Sequence, residues 1–225
     1  MGGQACVYYG AAEFSKDVDF AILANAKNIE RLQNALGELE ARLIAVPTLE
    51  LHFLLRGHAV HFRCGRSDVE NLRVDVMGKM RGVDAFEQLW ERRTTGWHDE
   101  EEFELLALPD LVRAKKTQRD KDWPMIRRLV ESHFFEFKTE PTNARIHFWL
   151  SEARTPSILH AVSTKFLEVP TEREAALLAR DGAHELHIDA ALKREEEHER
   201  KLDRAYWAPL KAELEELRRM RRSGA

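Results

Sequence analysis

The chain has 225 residues, 44% hydrophobic and 33% charged, which is enough to bury a core in one or two domains. Its 35 basic and 39 acidic residues leave a net charge of −4, so nucleic-acid binding would need a local basic patch. Two cysteines exclude a disulfide framework, and no apolar run resembles a membrane span or a signal peptide. We therefore expect a soluble, cytoplasmic protein with reduced thiols.

The first half of the chain is predicted to combine strands and helices. The run "DVDFAIL" (17–23) is strand-like, and "NAKNIERLQNALGELEARLI" (25–44) predicts an amphipathic helix with Asn25 as its N-cap. Two apolar runs, "AVHFRC" (59–64) and "LRVDVM" (72–77), flank a polar loop and predict a hairpin. "FELLAL" (103–108) is a candidate for one more strand.

The second half is predicted to be helical. "LPDLVRAKKTQ" (108–118) and "DWPMIRRLVESHF" (122–134) indicate two helices, each with a proline in its first turn. Thr171 and Glu174 have the spacing of a capping box, and Pro209 is expected to kink or restart a long charged helix. The sequence thus predicts an α+β fold, a mixed sheet flanked by helices and followed by a helical C-terminal region. Its expected parts are a core (1–108), helices that complete the site (109–140) and the C-terminal region (141–225).

Two aspartates lie two residues apart in the first predicted strand. Asp17 and Asp19 should share one face of that strand, where their carboxylates repel each other unless they are solvated or a cation lies between them. Asp75 lies in the second hairpin strand between two valines. If the two strands are neighbours, three carboxylates converge, a set of ligands that suits Mg²⁺. Each aspartate is also compatible with a solvated or ion-paired strand end.

Two further segments could contact phosphate groups. Gly2 and Gly3 would allow a ligand to approach the backbone closely, although a glycine pair is also common at a flexible end. A basic segment downstream could neutralise a triphosphate, or could be a solvated helix face. Its charged residues are Lys115, Lys116, Arg119 and Lys121. Asp122, which follows, could be an N-cap for the next helix.

Together these motifs resemble the nucleotidyltransferase superfamily, whose fold is shared with DNA polymerase beta. The Gly-Gly-x-Ala start, Gly10 and the Ser15-x-Asp17-x-Asp19 pattern resemble its first motif, and Asp75 its third metal-binding carboxylate. The segment "DLVRAKKTQRDKDW" (110–123) resembles the minimal branch, which includes abortive-infection (AbiEii-like) and toxin–antitoxin nucleotidyltransferases. The resemblance covers residues 2 to about 130.

The resemblance implies a role for each matched residue. Asp17, Asp19 and Asp75 would bind Mg²⁺, or Mn²⁺ in its place, and Asp75 would also help to activate the acceptor hydroxyl. The implied nucleotide-binding residues are Gly3, Gln4, Ser15, Lys115, Arg119, Lys121 and Asp122. The implied reaction transfers a nucleoside monophosphate from a nucleoside triphosphate to a hydroxyl on RNA, protein or a small molecule. A cognate antitoxin or toxin is an implied partner.

Three departures from the family favour a second hypothesis. Many relatives have Gly-Ser instead of Gly2-Gly3, and many have an arginine near Glu13. Relatives also carry a helix and the beginning of a strand before the glycine pair, so we expect either an upstream start or a core that has lost an element. The second hypothesis is a catalytically weak protein of the same fold that acts by binding through its C-terminal helices.

Other functional motifs are absent from the sequence. It contains no His-Glu-x-x-His, no Walker loop, no Gly-x-Gly-x-x-Gly and no cysteine pair at metal-ligand spacing. "RRMRR" (218–222) could contact RNA phosphates or simply end a solvated helix, where basic residues complement the helix dipole.

Overall fold

The structure is a computed structural model that describes residues 1–223. The chain divides into two compact units. The first contains residues 1–8, 12–114 and the residues from 205 onward, and the second contains residues 9–11 and 115–204. The three functional parts predicted from the sequence stay a prediction, because compactness alone does not delimit function.

A mixed four-stranded sheet organises the first unit, and this confirms the predicted α+β class. The strands are β1 (Asp17–Ala21), β2 (Arg42–Leu43), β3 (Ala59–Arg63) and β4 (Arg73–Met77), in the order β1-β4-β3-β2. β1 runs parallel to β4, whereas β3 pairs antiparallel with both β4 and β2. β3 and β4 are the predicted hairpin. A separate hairpin joins β5 (Thr94–His98) to β6 (Glu101–Leu105). The strand predicted at 103–108 therefore exists, but it begins two residues earlier and ends at Leu105.

Five helices belong to the first unit up to residue 114. They are α1 (Gly2–Tyr8), α2 (Ala26–Glu38), α3 (Leu51–Arg56), α4 (Phe86–Glu91) and α5 (Leu108–Ala114), and a short 3₁₀ turn spans Ser67–Val69. Asn25 caps α2, because its Oδ1 accepts a hydrogen bond of 2.8 Å from the backbone N–H of Asn28. The prediction that this helix reaches residue 44 was wrong. The chain turns at Glu40, where φ is +49°, and Arg42 and Leu43 then pair with β3.

The second unit is helical, as predicted. Its helices are α6 (Asp122–Phe137), α7 (Asn143–Glu152), α8 (Pro156–Lys165), α9 (Glu174–Arg180) and the first part of α10 (Glu185–Ser223). The predicted capping box was wrong, because α9 begins at Glu174 itself and Thr171 instead accepts a hydrogen bond from the N–H of Arg173.

A restart of the helix at Pro209 was also wrong, since α10 continues through it, and the alternative of a kink stays a prediction. A proline inside a helix frees the carbonyl of residue i−4 and removes one N–H donor. Pro209 is exposed, so water can satisfy that carbonyl. Beyond the proline the helix is fixed by Leu210, which is buried, and by Glu213, which pairs with Arg56 and with His58 at 2.8 Å. No helix within residues 1–223 is long and apolar enough to cross a membrane.

One face of the sheet forms a hydrophobic core. Val60 and Phe62 from β3 and Val74 and Val76 from β4 are buried there with Leu36, Leu54 and Cys64. Because side chains alternate along a strand, the residues between these positions lie on the opposite face. That opposite face carries the residues of the candidate site.

Candidate functional site

The parallel pairing of β1 and β4 aligns the predicted carboxylates. Asp17 lies opposite Arg73, and Asp19 lies opposite Asp75. Since residues that pair across neighbouring strands point to the same face, all four side chains share the face opposite the hydrophobic core. The prediction that Asp19 and Asp75 lie on neighbouring strands is confirmed. His61 on β3 also lies opposite Asp75, on the side of β4 away from β1. These five residues are called the carboxylate face: Asp17, Asp19, Asp75, Arg73 and His61.

Asp75 is the most enclosed of these acids and has two hydrogen-bond partners. Its Oδ1 lies 2.8 Å from Nδ1 of His61 and accepts a hydrogen bond of 2.8 Å from Nε of Arg73. Its side chain is 12% exposed. Burial raises the pKa of Asp75, but the hydrogen bonds and charges of His61 and Arg73 outweigh burial, so its pKa lies below the ordinary value. Asp75 is therefore stabilised as a carboxylate and is a weak base.

Arg73 is a cation set among the three carboxylates. The pKa of its guanidinium is raised, most of all by the hydrogen bond to Asp75. Burial lowers this pKa, but the negative charges of Asp75, Asp17 and Asp19 raise it further. Its terminal nitrogen lies 3.1 Å from Nδ1 of His61. The motifs in the sequence did not identify Arg73 or His61. Strand alternation could have identified Arg73, which precedes Asp75 by two residues and must share its face.

The glycine pair packs directly against this face. Gly2 has φ of +64°, and a Cβ added to it would overlap Oδ2 and Cγ of Asp19 and lie 2.7 Å from its Cβ. The N–H of Gly3 donates a hydrogen bond of 3.3 Å to Oδ2 of Asp19. Only glycine allows the backbone of α1 to lie this close to Asp19.

Ser15 links the glycine segment to β1. A Cβ on Gly3 would overlap Oγ of Ser15 and lie 2.9 Å from its Cβ. The Ser15 hydroxyl donates a hydrogen bond of 2.9 Å to the carbonyl of Asp17, and Nε2 of Gln4 donates one of 3.4 Å to the Ser15 carbonyl. Gly3, Gln4 and Ser15 are therefore linked to one another and to the two aspartates, and their role in binding phosphate stays a prediction.

The basic segment belongs to the second unit from Lys115 onward, and its local structure differs from the prediction. α5 ends at Ala114, so Lys115 and Lys116 lie after the helix and not on its face. Lys115 lies 3.6 Å from a carboxylate oxygen of Asp122, whereas Lys116 lies 2.7 Å from one of Glu152. The helix predicted over 108–118 was therefore too long, and these ion pairs fix the two lysines outside it.

Asp122 is buried and gathers several partners. It accepts hydrogen bonds from the Thr117 hydroxyl at 2.5 Å and from Nε of Arg119 at 2.7 Å. It is the first residue of α6, and the N-cap is the exposed Lys121. The N-cap reading of Asp122 was therefore wrong by one residue. Lys115, Arg119 and Asp122 form a structural cluster inside the second unit.

The carboxylate face contains no preformed metal cage. Within residues 1–223, no three histidine, cysteine, aspartate or glutamate side chains are grouped closely enough to hold a metal ion. The aspartates are aligned by strand register, and Arg73 and His61 engage Asp75. The binding of one metal ion by Asp17, Asp19 and Asp75 stays a prediction.

Comparison of the chain with models of protein families, with curated proteins and with solved structures found no match.

Proposed function

We propose that the chain is a divalent-cation-dependent nucleotidyltransferase of the toxin–antitoxin or abortive-infection kind that acts in the cytoplasm. It would transfer a nucleoside monophosphate from a nucleoside triphosphate to a hydroxyl on RNA or protein. One observation carries the proposal. Asp19 lies opposite Asp75 on a parallel strand while the backbone of Gly2 packs against the Asp19 carboxylate. Close backbone approach beside paired carboxylates suits a phosphate ligand and its cation.

The proposal of Mg²⁺ or Mn²⁺ rests on the chemistry of the ligands alone, because residues 1–223 contain no preformed metal site. Asp17, Asp19 and Asp75 offer carboxylate oxygens on one face, and these hard ligands suit such ions. Both partners of Asp75 contact Oδ1, so a cation would be held through Oδ2 or by displacing a partner. Bound there, the ion would neutralise phosphate charge during transfer.

The protein residues would divide the remaining work. The lowered pKa of Asp75 makes it a poor general base, which favours its role as a cation ligand over direct activation of the acceptor hydroxyl. Gly2 and Gly3 pack against the side chains of Asp19 and Ser15, so they would act by positioning these two residues beside the phosphates. Lys115, Arg119 and Lys121 are proposed to contact the triphosphate, as the motif suggests.

The decisive experiment is a transfer assay. The purified protein is incubated with each labelled nucleoside triphosphate, Mg²⁺ and pools of RNA and protein acceptors. We expect label on one acceptor class, and we expect Asp17→Asn to abolish it without loss of fold, because removing a cation ligand costs several kcal/mol at the reacting phosphate. Asp68→Asn is the matched control, since Asp68 is an exposed aspartate in the β3–β4 loop that pairs with Arg66. Equal transfer by the wild type and Asp17→Asn would refute the assignment.

A second candidate function has its own supporting observation. Arg73 already supplies a positive charge to the carboxylate face, as expected of a site that no longer depends on a metal. A catalytically weak protein that binds a partner through its C-terminal helices would show no transfer with any triphosphate. Mg²⁺ and Mn²⁺ would also leave its melting temperature unchanged.

A further inference from the structure

Three arginines line one groove near the end of α10. Arg218, Arg221 and Arg222 border it together with residues 44–46, which follow β2, and the groove has a volume of about 410 Å³. The arginines are spaced three and four residues apart, so their side chains share one side of the helix. Both segments belong to the first unit. The groove therefore brings three positive charges to one edge of the sheet.

These three arginines repel one another without being paired to acids. Within residues 1–223, none of them forms an ion pair or a side-chain hydrogen bond. Like charges three or four residues apart destabilise a helix. The helix dipole favours basic residues in the last turn, which accounts for Arg221 and Arg222 but not for Arg218, since α10 ends at Ser223. A solvated helix end therefore does not explain the whole cluster.

A second group of unpaired arginines lies on the sheet. Arg42 on β2 lies directly opposite Arg63 on β3, so the two side chains share one face. Both side chains are exposed, and neither has an ion-pair or side-chain hydrogen-bond partner within the described 223 residues. Like charges directly opposite each other destabilise a sheet. A bound anion would remove this repulsion, as it would in the groove.

The sheet joins both groups of arginines to the carboxylate face. Arg63 lies opposite Arg73 on β4, and neighbouring strands are about 4.8 Å apart, so Arg42 lies about 10 Å from Arg73 across the sheet. The N–H of Ile44 donates a hydrogen bond of 3.0 Å to the carbonyl of His61, which continues the pairing of β2 with β3. Ile44 therefore lies on the same face as Arg42. The five unpaired arginines are called the basic track: Arg42, Arg63, Arg218, Arg221 and Arg222.

We propose that the basic track is a docking surface for single-stranded RNA. Each nucleotide of the RNA backbone carries one negative charge, and arginine binds phosphate through charge-assisted hydrogen bonds. The groove also contains apolar surface, because Ile44 lines it and is 39% exposed, so an unpaired base can pack there. A duplex covers the faces of its bases and an acidic peptide has none, so single-stranded RNA fits the groove better than either. RNA binding by the track requires neither metal nor transfer, whereas the choice of RNA over DNA rests on the proposed function.

The salt dependence of RNA binding tests the track. A labelled, mixed-sequence single-stranded RNA of about 12 nucleotides is titrated with the purified full chain, and its fluorescence anisotropy is measured at several salt concentrations. If all five arginines contact phosphates, the logarithm of the association constant falls with the logarithm of salt concentration at a slope of about −3.5. We expect Arg63→Gln to weaken binding about fivefold at about 0.1 M salt and to reduce the steepness of the slope by about 0.7. The double variant Arg218→Gln/Arg222→Gln should weaken binding about 25-fold and reduce the steepness by about 1.4.

The double variant Lys27→Gln/Arg31→Gln is the matched control. Lys27 and Arg31 are exposed and lie four residues apart on α2, like the outer two arginines of the groove on α10. Ile29 and Leu32 of α2 pack against the hydrophobic core, on the sheet face opposite the track. This control removes the same charge from the protein and should leave RNA affinity within twofold of the wild type. Glutamine is a good helix former, and melting curves confirm that each variant is folded.

The outcomes separate this inference from the proposed function. Unchanged affinity in both track variants, or an equal loss in the control, overturns the track. Failure of the wild type to bind RNA also overturns it, as does tighter binding of single-stranded DNA of the same sequence or equally tight binding of polyglutamate. The nucleotide-transfer assay decides the proposed function independently. RNA binding that depends on the track, without transfer by the wild type, supports the docking surface and overturns the enzyme.

Discussion

Substitution of Gly2 by alanine tests whether the glycine pair positions the carboxylate face. An alanine Cβ would overlap Oδ2 and Cγ of Asp19 and lie 2.7 Å from its Cβ. Rotation of the Asp19 side chain can remove the first two overlaps but not the third, because the Asp19 Cβ is fixed to the backbone of β1. Gly2 also has φ of +64°, which strains any residue with a side chain. Either the start of α1 or β1 itself must therefore move.

The expected cost has two parts. The left-handed conformation costs an alanine about 1–2 kcal/mol, and overpacking typically costs about 1–3 kcal/mol. Because α1 begins at this residue and can shift, we expect a loss of about 2–3 kcal/mol. For a chain of this length, that lowers the melting temperature by about 4–12 °C. We also expect weaker Mn²⁺ binding, since Asp19 is displaced.

Gly37 provides the matched control. It lies inside α2, and a Cβ there would meet nothing within 4 Å. Gly37→Ala should therefore stabilise the protein by about 0.5–1 kcal/mol through helix propensity. Thermal unfolding and Mn²⁺ titration of both variants decide the matter. If Gly2→Ala melts within 1 °C of the wild type and binds Mn²⁺ equally well, the close approach of Gly2 to Asp19 is wrong.

Two further predictions concern the second unit. Burial lowers the pKa of His133 to about 4, and its Nδ1 accepts a hydrogen bond of 2.9 Å from Trp149, so folding favours neutral His133. The contribution of neutral His133 to stability is complete above the unfolded pKa of about 6.5 and is lost as pH falls towards 4. The wild type should therefore lose stability between pH 7.5 and 4.5, and His133→Gln should remove about 2 kcal/mol of that loss in melting curves. An unchanged pH dependence in His133→Gln would contradict this assignment. Lys115→Ala should weaken triphosphate binding about tenfold. Lys116→Ala should mainly destabilise the fold, because it leaves the buried Glu152 without its lysine. Triphosphate affinity from calorimetric titration and melting temperature should therefore rank the two variants in opposite orders. The same ranking in both measurements would argue against a role for Lys115 at the triphosphate.

Strand periodicity was sufficient to predict which residues share a face within each strand, whereas the pairing of β1 with β4 was only assumed. Asp17 and Asp19 share a face because of their spacing, and the alternation of apolar residues around Asp75 places Val74 and Val76 in the core. The hairpin and the capped start of α2 also followed from local signals. These features depend on residues close together in the sequence, which is why the sequence alone could predict them.

The features that were missed depend on residues distant in sequence. Residues 42–43 continue a helical pattern, and they form a strand because β3 offers them hydrogen bonds. Lys115 leaves the helical path and contacts Asp122. Asp75 on β4 contacts His61 on β3, 14 residues away in the sequence. This contact could be predicted only if the register of the hairpin were known. Sequence reasoning could therefore propose the acids of the site but could not assign their partners.

The charge of the carboxylate face favours a site that still attracts a cation. Asp17, Asp19 and Asp75 contribute three carboxylates to one face, and Arg73 can neutralise at most one of them. The Nδ1 of His61 can serve as an acceptor for Arg73. A face that had lost its cation would gain stability from any substitution that removed the remaining repulsion. The close packing of Gly2 against Asp19 leaves no room for a larger residue that would shield these charges. The remaining negative charge suits a positively charged ligand, and this supports the proposed transferase over the binding protein.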